Sequence, residues 1–154
     1  MTLPPLAILS LCGVSAFALQ QFFPIATFDP PVWVISVTAA SAVVFLVSAV
    51  VKFRSHQTTV NPITPEATTT LVTGGVYRVT RNPMYVGMLL ALISLVLWLG
   101  ALSATTLVPV FYALIDRKQI AAEEAALLQK FGDTYRAYAA SVPRWLLIRQ
   151  GVEK

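Results

Sequence analysis

The sequence predicts an all-α integral membrane protein with four transmembrane helices, and three observations lead to this prediction. Hydrophobic residues make up 56% of the 154 residues and charged residues only 12%, which is more apolar than a water-soluble domain of this size requires. Uncharged tracts cover residues 1–28, 30–51 and 82–115, and about 20 apolar residues cross a bilayer as a helix. The basic residues fall in two segments only.

The three tracts divide into four predicted spans. The first two tracts predict helices at about residues 3–23 and 32–52. The third is long enough for a hairpin of two shorter helices, at about 83–99 and 102–116, with the small residues Gly100–Ser103 as the turn. These two arms reach about 25 Å and about 21 Å at 1.5 Å per residue. Because they are slightly short, we expect either that their turn lies in the membrane interface or that Asp116 and Arg117 snorkel from one further turn.

The positions of the charges predict the orientation of the spans. All eleven Lys and Arg residues lie between the second and third spans or after the fourth. By the positive-inside rule, both termini are therefore cytoplasmic, in the inner membrane if the protein is bacterial. In this interpretation Arg78 and Arg81 are ordinary positive-inside residues. The net charge of +4 indicates contact with anionic lipid headgroups, and no pattern indicates nucleic-acid binding.

The chain is expected to form a single domain, residues 1–154, with two segments outside the membrane. A cytoplasmic loop, residues 53–82, connects the two hairpins, and loops of this length are usually functional or disordered. A cytoplasmic tail, residues 117–154, begins with a predicted amphipathic helix that ends near Ser141. Its apolar stripe consists of Leu127, Leu128, Phe131, Tyr135 and Tyr138.

Beyond this helix, Pro143 stops helical structure. The apolar run Trp145–Ile148 then suits the membrane interface. The other residues that often carry chemistry are scarce. Cys12 is the single cysteine and is expected to pack inside a span, while His56, the single histidine, is expected to be a solvated side chain near the membrane surface. With no second histidine or clustered carboxylate near His56, no metal site is expected.

Polar and aromatic residues concentrate where the third span begins. Asn82 and Pro83 form a strong helix-start pair, since the Asn side chain can accept from free N–H groups of the first turn and Pro is preset for the first helical position. Such a helix start also suits an anionic ligand group. Tyr77 and Tyr85 flank the pair and can hold a cation or stack a purine. The alternative for both tyrosines is the interfacial aromatic belt.

Two adjacent carboxylates, Glu123 and Glu124, lie just beyond the predicted end of the fourth span. They can bind ribose hydroxyls or an ammonium group, and either can accept a proton from an amine. The alternative is a solvated helix face. The pair Gly74-Gly75 more often forms a tight turn than a phosphate cradle, and no dinucleotide fingerprint surrounds it.

Taken in order, these fragments resemble the isoprenylcysteine carboxyl methyltransferase and phospholipid methyltransferase superfamily. The resemblance covers roughly residues 52–145 and is specific as an ordered set. It is carried by the runs Leu71-Val72-Thr73-Gly74-Gly75-Val76-Tyr77 and Arg81-Asn82-Pro83-Met84-Tyr85-Val86-Gly87, then Glu123-Glu124, Phe131-Gly132-Asp133, Tyr135 and Tyr138.

The resemblance implies an integral membrane enzyme that uses S-adenosylmethionine, bound on the cytoplasmic side beneath a lid of loop and tail. The implied acceptor is lipophilic or membrane-embedded and enters between the spans. No catalytic residue is implied. Carried over by motif, the cofactor-binding residues are Thr70, Leu71, Val72, Tyr77, Asn82, Pro83, Met84, Tyr85, Glu123 and Glu124.

Two departures from the superfamily pattern concern the acceptor. Members that act on prenylcysteine carry His where Asn82 stands, and Arg one turn before the glutamate, where this chain has Gln119. An Arg there would bind a substrate carboxylate through two hydrogen bonds, so its absence argues against prenylcysteine. The candidate substrate-binding residues are Gln119, Arg117 and Arg144. The accepting atom, a carboxylate oxygen or an amine nitrogen, stays open.

Two other functions are alternatives to methyl transfer. A membrane reductase of the sterol type uses NADPH, whose phosphates require clustered Arg and Lys, but only Arg78 and Arg81 lie close in sequence. A non-enzymatic membrane scaffold explains the topology and the charge but not the ordered tyrosines and glutamates. Methyl transfer mainly requires alignment and exclusion of water, which suits a chain without a Ser-His-Asp set. The expected partners are a lipophilic or lipid substrate and membrane lipids.

Overall fold

A computed structural model describes residues 3–55 and 70–146, and this part of the chain is helical without a β-strand. Helix α1 spans Pro5–Phe22 and α2 spans Val32–Ser55. A 3-10 turn at Gly75–Arg78 precedes α3, which spans Pro83–Leu99. The predicted helix over residues 83–99 coincides with α3, because Pro83 favours a helix start and Gly100 ends the helix in the left-handed conformation.

The chain after α3 forms one long helical region rather than two separate helices. It consists of a 3-10 turn at Ser103–Thr106, α4 at Leu107–Leu114, a π-helical segment at Ile115–Ile120 and α5 at Ala121–Ser141. Both junctions of the π-helical segment keep helical dihedral angles. Helical structure therefore continues from the predicted fourth span into the predicted tail helix, and α5 ends at Ser141. Whether α4 crosses a membrane stays a prediction.

Within residues 3–55 and 70–146, two helices are long and apolar enough to cross a membrane, Pro5–Phe22 and Val32–Lys52, and α3 is a shorter apolar helix. Many large apolar side chains on the first two helices face outward, among them Leu11, Val14, Phe17, Val43 and Val47. An apolar surface of this extent is unfavourable in water. The helices and their outer faces therefore indicate a membrane location.

Helix α3 is the centre of the bundle, since it contacts α1, α2 and α4. The core between these helices includes the buried side chains of Cys12, Ala16, Leu92, Val96 and Phe111. Burying such side chains contributes roughly 25 cal/mol per Å² when they leave water, but between helices in a membrane the gain comes mostly from close packing.

The two connections at the end of α3 opposite its start pair with each other through the main chain. The Phe28 N–H donates to the Gly100 carbonyl at 2.8 Å, and the Leu102 N–H donates to the Ala26 carbonyl at 2.9 Å. This pairing ties the α1–α2 connection to the α3–α4 connection. It fixes the two helical hairpins relative to each other at the end away from the polar segments.

Helices α2 and α3 approach each other closely at Gly87. A Cβ at this position would lie 2.7 Å from Leu46 Cγ and 3.1 Å from the Ala42 carbonyl oxygen. Small residues permit such backbone approach between membrane helices. The close contact places the first turns of α3 against the middle of α2.

Gly87→Ala is expected to lower the midpoint of thermal unfolding in detergent micelles, measured by far-UV circular dichroism. The added methyl forces α2 away from α3, and overpacking of this kind costs about 1–3 kcal/mol. Gly13→Ala is the matched control, because its Cβ would lie 3.4 Å from Leu95 Cδ2. Equal midpoints for Gly87→Ala and the wild type would contradict the close approach of the two helices.

Candidate functional site

Four segments of the chain meet at the end of the bundle where α3 begins. They are the loop residues 70–82, the first turn of α3, the first turn of α5, and residues 142–146, which we name the C-terminal strap. The loop is anchored on α2, because Val72 and Tyr77 are buried together with Ala49. Within the loop, Gly75–Arg78 forms the tight turn that the glycine pair predicts.

The centre of this region is the contact between Tyr85 and Glu123. Tyr85 is buried in the first turn of α3, and its hydroxyl donates a hydrogen bond to Oε1 of Glu123 in the first turn of α5. Tyr77 lies beside them: burial, followed by the neighbouring Tyr138 and Glu123, raises the pKa of the Tyr77 hydroxyl. The structure thus brings Tyr77, Tyr85 and Glu123 together from three separate elements.

Glu123 occupies a site that disfavours its charge. Burial raises its pKa to about 7, the neighbouring Glu124 charge adds to the rise, and the hydrogen bond from Tyr85 opposes it. Within residues 3–55 and 70–146, Glu123 has no Lys or Arg within ion-pair distance. A carboxylate in such surroundings gains from a nearby cation, because the low local dielectric strengthens the attraction.

Glu124, the adjacent carboxylate, has the opposite surroundings. Its Oε1 lies 2.9 Å from Arg81 Nη2, and its Oε2 lies 2.5 Å from Arg144 Nη2. The Arg81 contact is off the hydrogen-bonding direction and acts as an ion pair. Arg144 also pairs with Asp116 at 3.3 Å, and the Trp145 Nε1–H donates to Asp116 Oδ1 at 2.8 Å. We name Arg81, Asp116, Glu124 and Arg144 the Glu124 cluster.

The C-terminal strap binds to the segment just before α3 through main-chain groups. The Arg81 N–H donates to the Pro143 carbonyl at 2.9 Å. The Arg144 carbonyl accepts hydrogen bonds from the Thr80 hydroxyl at 2.9 Å and from Asn82 Nδ2 at 3.1 Å. The strap is therefore an added layer over the start of α3.

A kink in α5 directs its second half toward this segment. Gly132 has φ 51° and ψ −125°, a conformation that residues with a side chain rarely adopt. Beyond the kink, the Tyr138 hydroxyl donates to the Tyr77 carbonyl at 2.7 Å, and Arg81 Nη1 donates to the Ala139 carbonyl at 2.6 Å. Gly132 thus allows both halves of α5 to contact the residues that precede α3.

Two predictions about this region are wrong. Asn82 does not cap α3 with its side chain; the amide group binds the Arg144 carbonyl instead, because the strap offers an acceptor that a local rule cannot foresee. Arg81 is not an ordinary positive-inside residue, since its side chain is 2% exposed and paired with Glu124. The signal that could have found this role is its place in the motif immediately before Asn82.

The remaining predicted site residues lie in varied surroundings. Thr70 is exposed, Leu71 is partly buried and Met84 packs beside Tyr77. Of the candidate substrate-binding residues, Gln119 is buried and its amide donates to the Leu3 carbonyl, Arg117 is exposed, and Arg144 belongs to the Glu124 cluster.

The predicted interfacial role of Trp145–Ile148 is wrong for Trp145, which is buried and packs on Tyr112 with ring centroids 4.9 Å apart. Leu147, Ile148 and His56 lie outside the described residues. Among the residues that the structure does describe, no group of three His, Cys, Asp or Glu side chains could hold a metal ion.

The chain matches a known protein family. The model of the phospholipid methyltransferase family matches residues 32–134, which include α2, α3 and α4, the first part of α5 and the Tyr85–Glu123 contact. The chain belongs to the phospholipid methyltransferase family. No solved structure matches it.

Two relatives show how far the similarity extends. An uncharacterized protein of Haemophilus influenzae is 48% identical over 63 residues, which are 41% of this chain and the whole of that protein. Protein-S-isoprenylcysteine O-methyltransferase of Schizosaccharomyces pombe is 36% identical over 73 residues, which are 47% of this chain and 31% of that enzyme. The chain therefore spans less than a third of the yeast enzyme's length. The similarity to the Schizosaccharomyces pombe enzyme agrees with the superfamily that the motifs indicate.

Glu123→Gln is expected to stabilise this family member more at pH 8 than at pH 5. The ordinary pKa of 4.5 is raised to about 7, so the folded protein keeps a proton on Glu123 that the unfolded chain loses. The stability from this group is thus fully present below about pH 4.5 and is lost as the pH rises through 7. Glu123→Gln does not lose this stability as the pH rises, because the Gln side chain carries no charge.

Thermal unfolding midpoints of the wild type and Glu123→Gln, measured at both pH values in the same detergent, check this expectation. Asp133→Asn is the control on the same helix, because Asp133 is exposed and forms an exposed ion pair with Arg136. A stability difference between Glu123→Gln and the wild type that stays constant with pH would show that Glu123 is not a buried charge.

Proposed function

We propose that this protein transfers the methyl group of S-adenosylmethionine to a lipophilic, membrane-embedded acceptor. The single observation that supports this most is a partly buried carboxylate, Glu123, hydrogen-bonded to Tyr85 and close to Tyr77. Together they form an aromatic and anionic environment that suits a cation. The family and the yeast relative, both named as methyltransferases, agree with this chemistry.

The donor set fits S-adenosylmethionine, whose sulfonium and ammonium groups are cations. Glu123 and the rings of Tyr77 and Tyr85 would face these charges. The backbone of residues 70–72 and the first turn of α3, from Asn82 to Tyr85, would hold the rest of the molecule. When bound, S-adenosylmethionine supplies a methyl group activated for in-line displacement. The protein contributes alignment and exclusion of water, which can lower a barrier by several kcal/mol.

We further propose an amine as the methyl acceptor. A substrate carboxylate would need a cation, but Arg81 and Arg144 both pair with Glu124, and Gln119 binds Leu3. Glu123, with its pKa raised to about 7, can instead accept the proton that an amine must lose. The same pairing of Arg81 removes one of the two cations that a phosphate of NADPH would require, which disfavours the reductase alternative.

The topology we propose has four spans with the site at the cytoplasmic side. Besides α1 and α2, the 17-residue α3 reaches about 25 Å, and α4 with the π-helical segment returns. The connections at the far end contain no Lys or Arg, whereas the segments around the site do, which supports cytoplasmic termini by the positive-inside rule. Anionic and substrate lipids are the partners we propose.

Titration of the detergent-purified protein with S-adenosylmethionine in a calorimeter tests cofactor binding. Tyr85→Ala and Glu123→Ala should each weaken binding by about 1–3 kcal/mol, because they remove an aromatic face and a buried charge. Trp98→Phe is the control, since Trp98 is 67% exposed on α3 far from the start of that helix. No binding heat at millimolar cofactor would contradict the proposal.

The methylation rate is expected to fall as the pH decreases through about 7. Glu123 then gains a proton and loses both the charge that attracts a cation and its capacity as a base. Tyr85→Phe should move the midpoint upward, because the hydrogen bond from Tyr85 lowers the pKa of Glu123. The measurement is transfer of labelled methyl from the cofactor into lipid extract across pH, and Glu123→Gln should abolish this titration. An unchanged midpoint in both variants would assign the titration to another group.

A further inference from the structure

We propose that Glu124 is a positioning residue that holds the C-terminal strap closed over the start of α3, so that the adjacent Glu123 and Glu124 have separate tasks. The inference rests on the proposed function, because the strap covers the site proposed for the cofactor. It assigns Glu124 no contact with the cofactor, in contrast to the role that the superfamily resemblance implies.

Both carboxylate oxygens of Glu124 face guanidinium groups of the protein. One oxygen lies 2.9 Å from Arg81 Nη2 and the other lies 2.5 Å from Arg144 Nη2. The side chain is 11% exposed. A carboxylate held by two guanidinium groups is fixed in direction, whereas Glu123 presents its carboxylate to Tyr85.

Glu124 joins two segments that also meet through main-chain and small polar hydrogen bonds. Arg81 lies two positions before α3, and Arg144 lies in the strap. Asp116 of the π-helical segment holds Arg144 from its other side. Glu124 thus connects the strap, α5 and the start of α3 in one group of charges.

Loss of the Glu124 charge would leave Arg81 without a counter-charge. The Arg81 side chain is 2% exposed, and a buried guanidinium without a counter-charge is strongly unfavourable. If Glu124 loses its charge, Arg81 and Arg144 regain hydration most easily when the strap lifts away. Lifting the strap also breaks the bond between the Arg81 N–H and Pro143 and admits water toward Tyr85 and Glu123.

Hydrogen exchange combined with titration of S-adenosylhomocysteine tests the inference in the full-length protein. In Glu124→Gln, the Arg81 amide is expected to exchange at least about tenfold faster than in the wild type, because local opening frees it. The Leu92 amide in the middle of α3 should stay protected. The dissociation constant of S-adenosylhomocysteine should rise at least about tenfold, with the pH midpoint of binding unchanged. Asp133→Asn on the same helix should match the wild type in every measurement.

Two results would overturn the inference. Weaker binding with an Arg81 amide still protected would make Glu124 a direct ligand contact, and wild-type exchange with wild-type affinity would leave it without a role. Should Glu124→Gln not fold, Arg144→Met replaces it, because this variant releases the strap and keeps the Arg81–Glu124 pair. If the wild type itself binds no S-adenosylhomocysteine, the proposed function fails. The exchange rate of the Arg81 amide still tests whether Glu124 holds the strap closed.

Discussion

A charge buried in a protein requires a counter-charge. The ion pair of Arg81 and Glu124 meets this requirement and determines how the segments around it pack. Arg81 comes immediately before α3 and is almost fully buried, so acceptors must reach it from elsewhere in the chain. The kinked α5 supplies Glu124 and the Ala139 carbonyl. Once α5 is held there, the residue before Glu124 in sequence lies against Tyr85. The geometry of the proposed cofactor site therefore depends on an ion pair beside it.

Adjacent carboxylates in different surroundings can have different roles, as in enzymes where the environment of each carboxylate sets its function. Glu124 lies between two guanidinium groups, those of Arg81 and Arg144. Glu123 has Tyr85 as its partner, and burial raises its pKa to about 7. Methyl transfer requires a bound cation, an aligned acceptor and little water. The C-terminal strap and the apolar bundle would cover the site of this proposed chemistry.

The helices could be predicted largely from the sequence, and the residues at the start of α3 from their resemblance to a superfamily. Apolar length predicts α1 and α2, while Pro83 and Gly100 mark the ends of α3. Long-range contacts could not be predicted. The sequence alone predicts that Arg81 is a surface cation, but in the structure the tail covers it. A helix-capping rule predicts that the Asn82 side chain caps α3, but this side chain donates to the Arg144 carbonyl instead. The kink at Gly132 carries no periodic signal, since the apolar stripe continues across it.

The central claim is that Tyr77, Tyr85 and Glu123 form one site for a cationic cofactor. Ultraviolet crosslinking of methyl-labelled S-adenosylmethionine to the purified protein, followed by peptide mapping, tests it most directly. The account predicts label on the peptides that contain Tyr77 or Tyr85, displacement by unlabelled S-adenosylhomocysteine, and loss of label in Glu123→Gln. Label confined to α1 or α2, or label that the competitor does not displace, would contradict it.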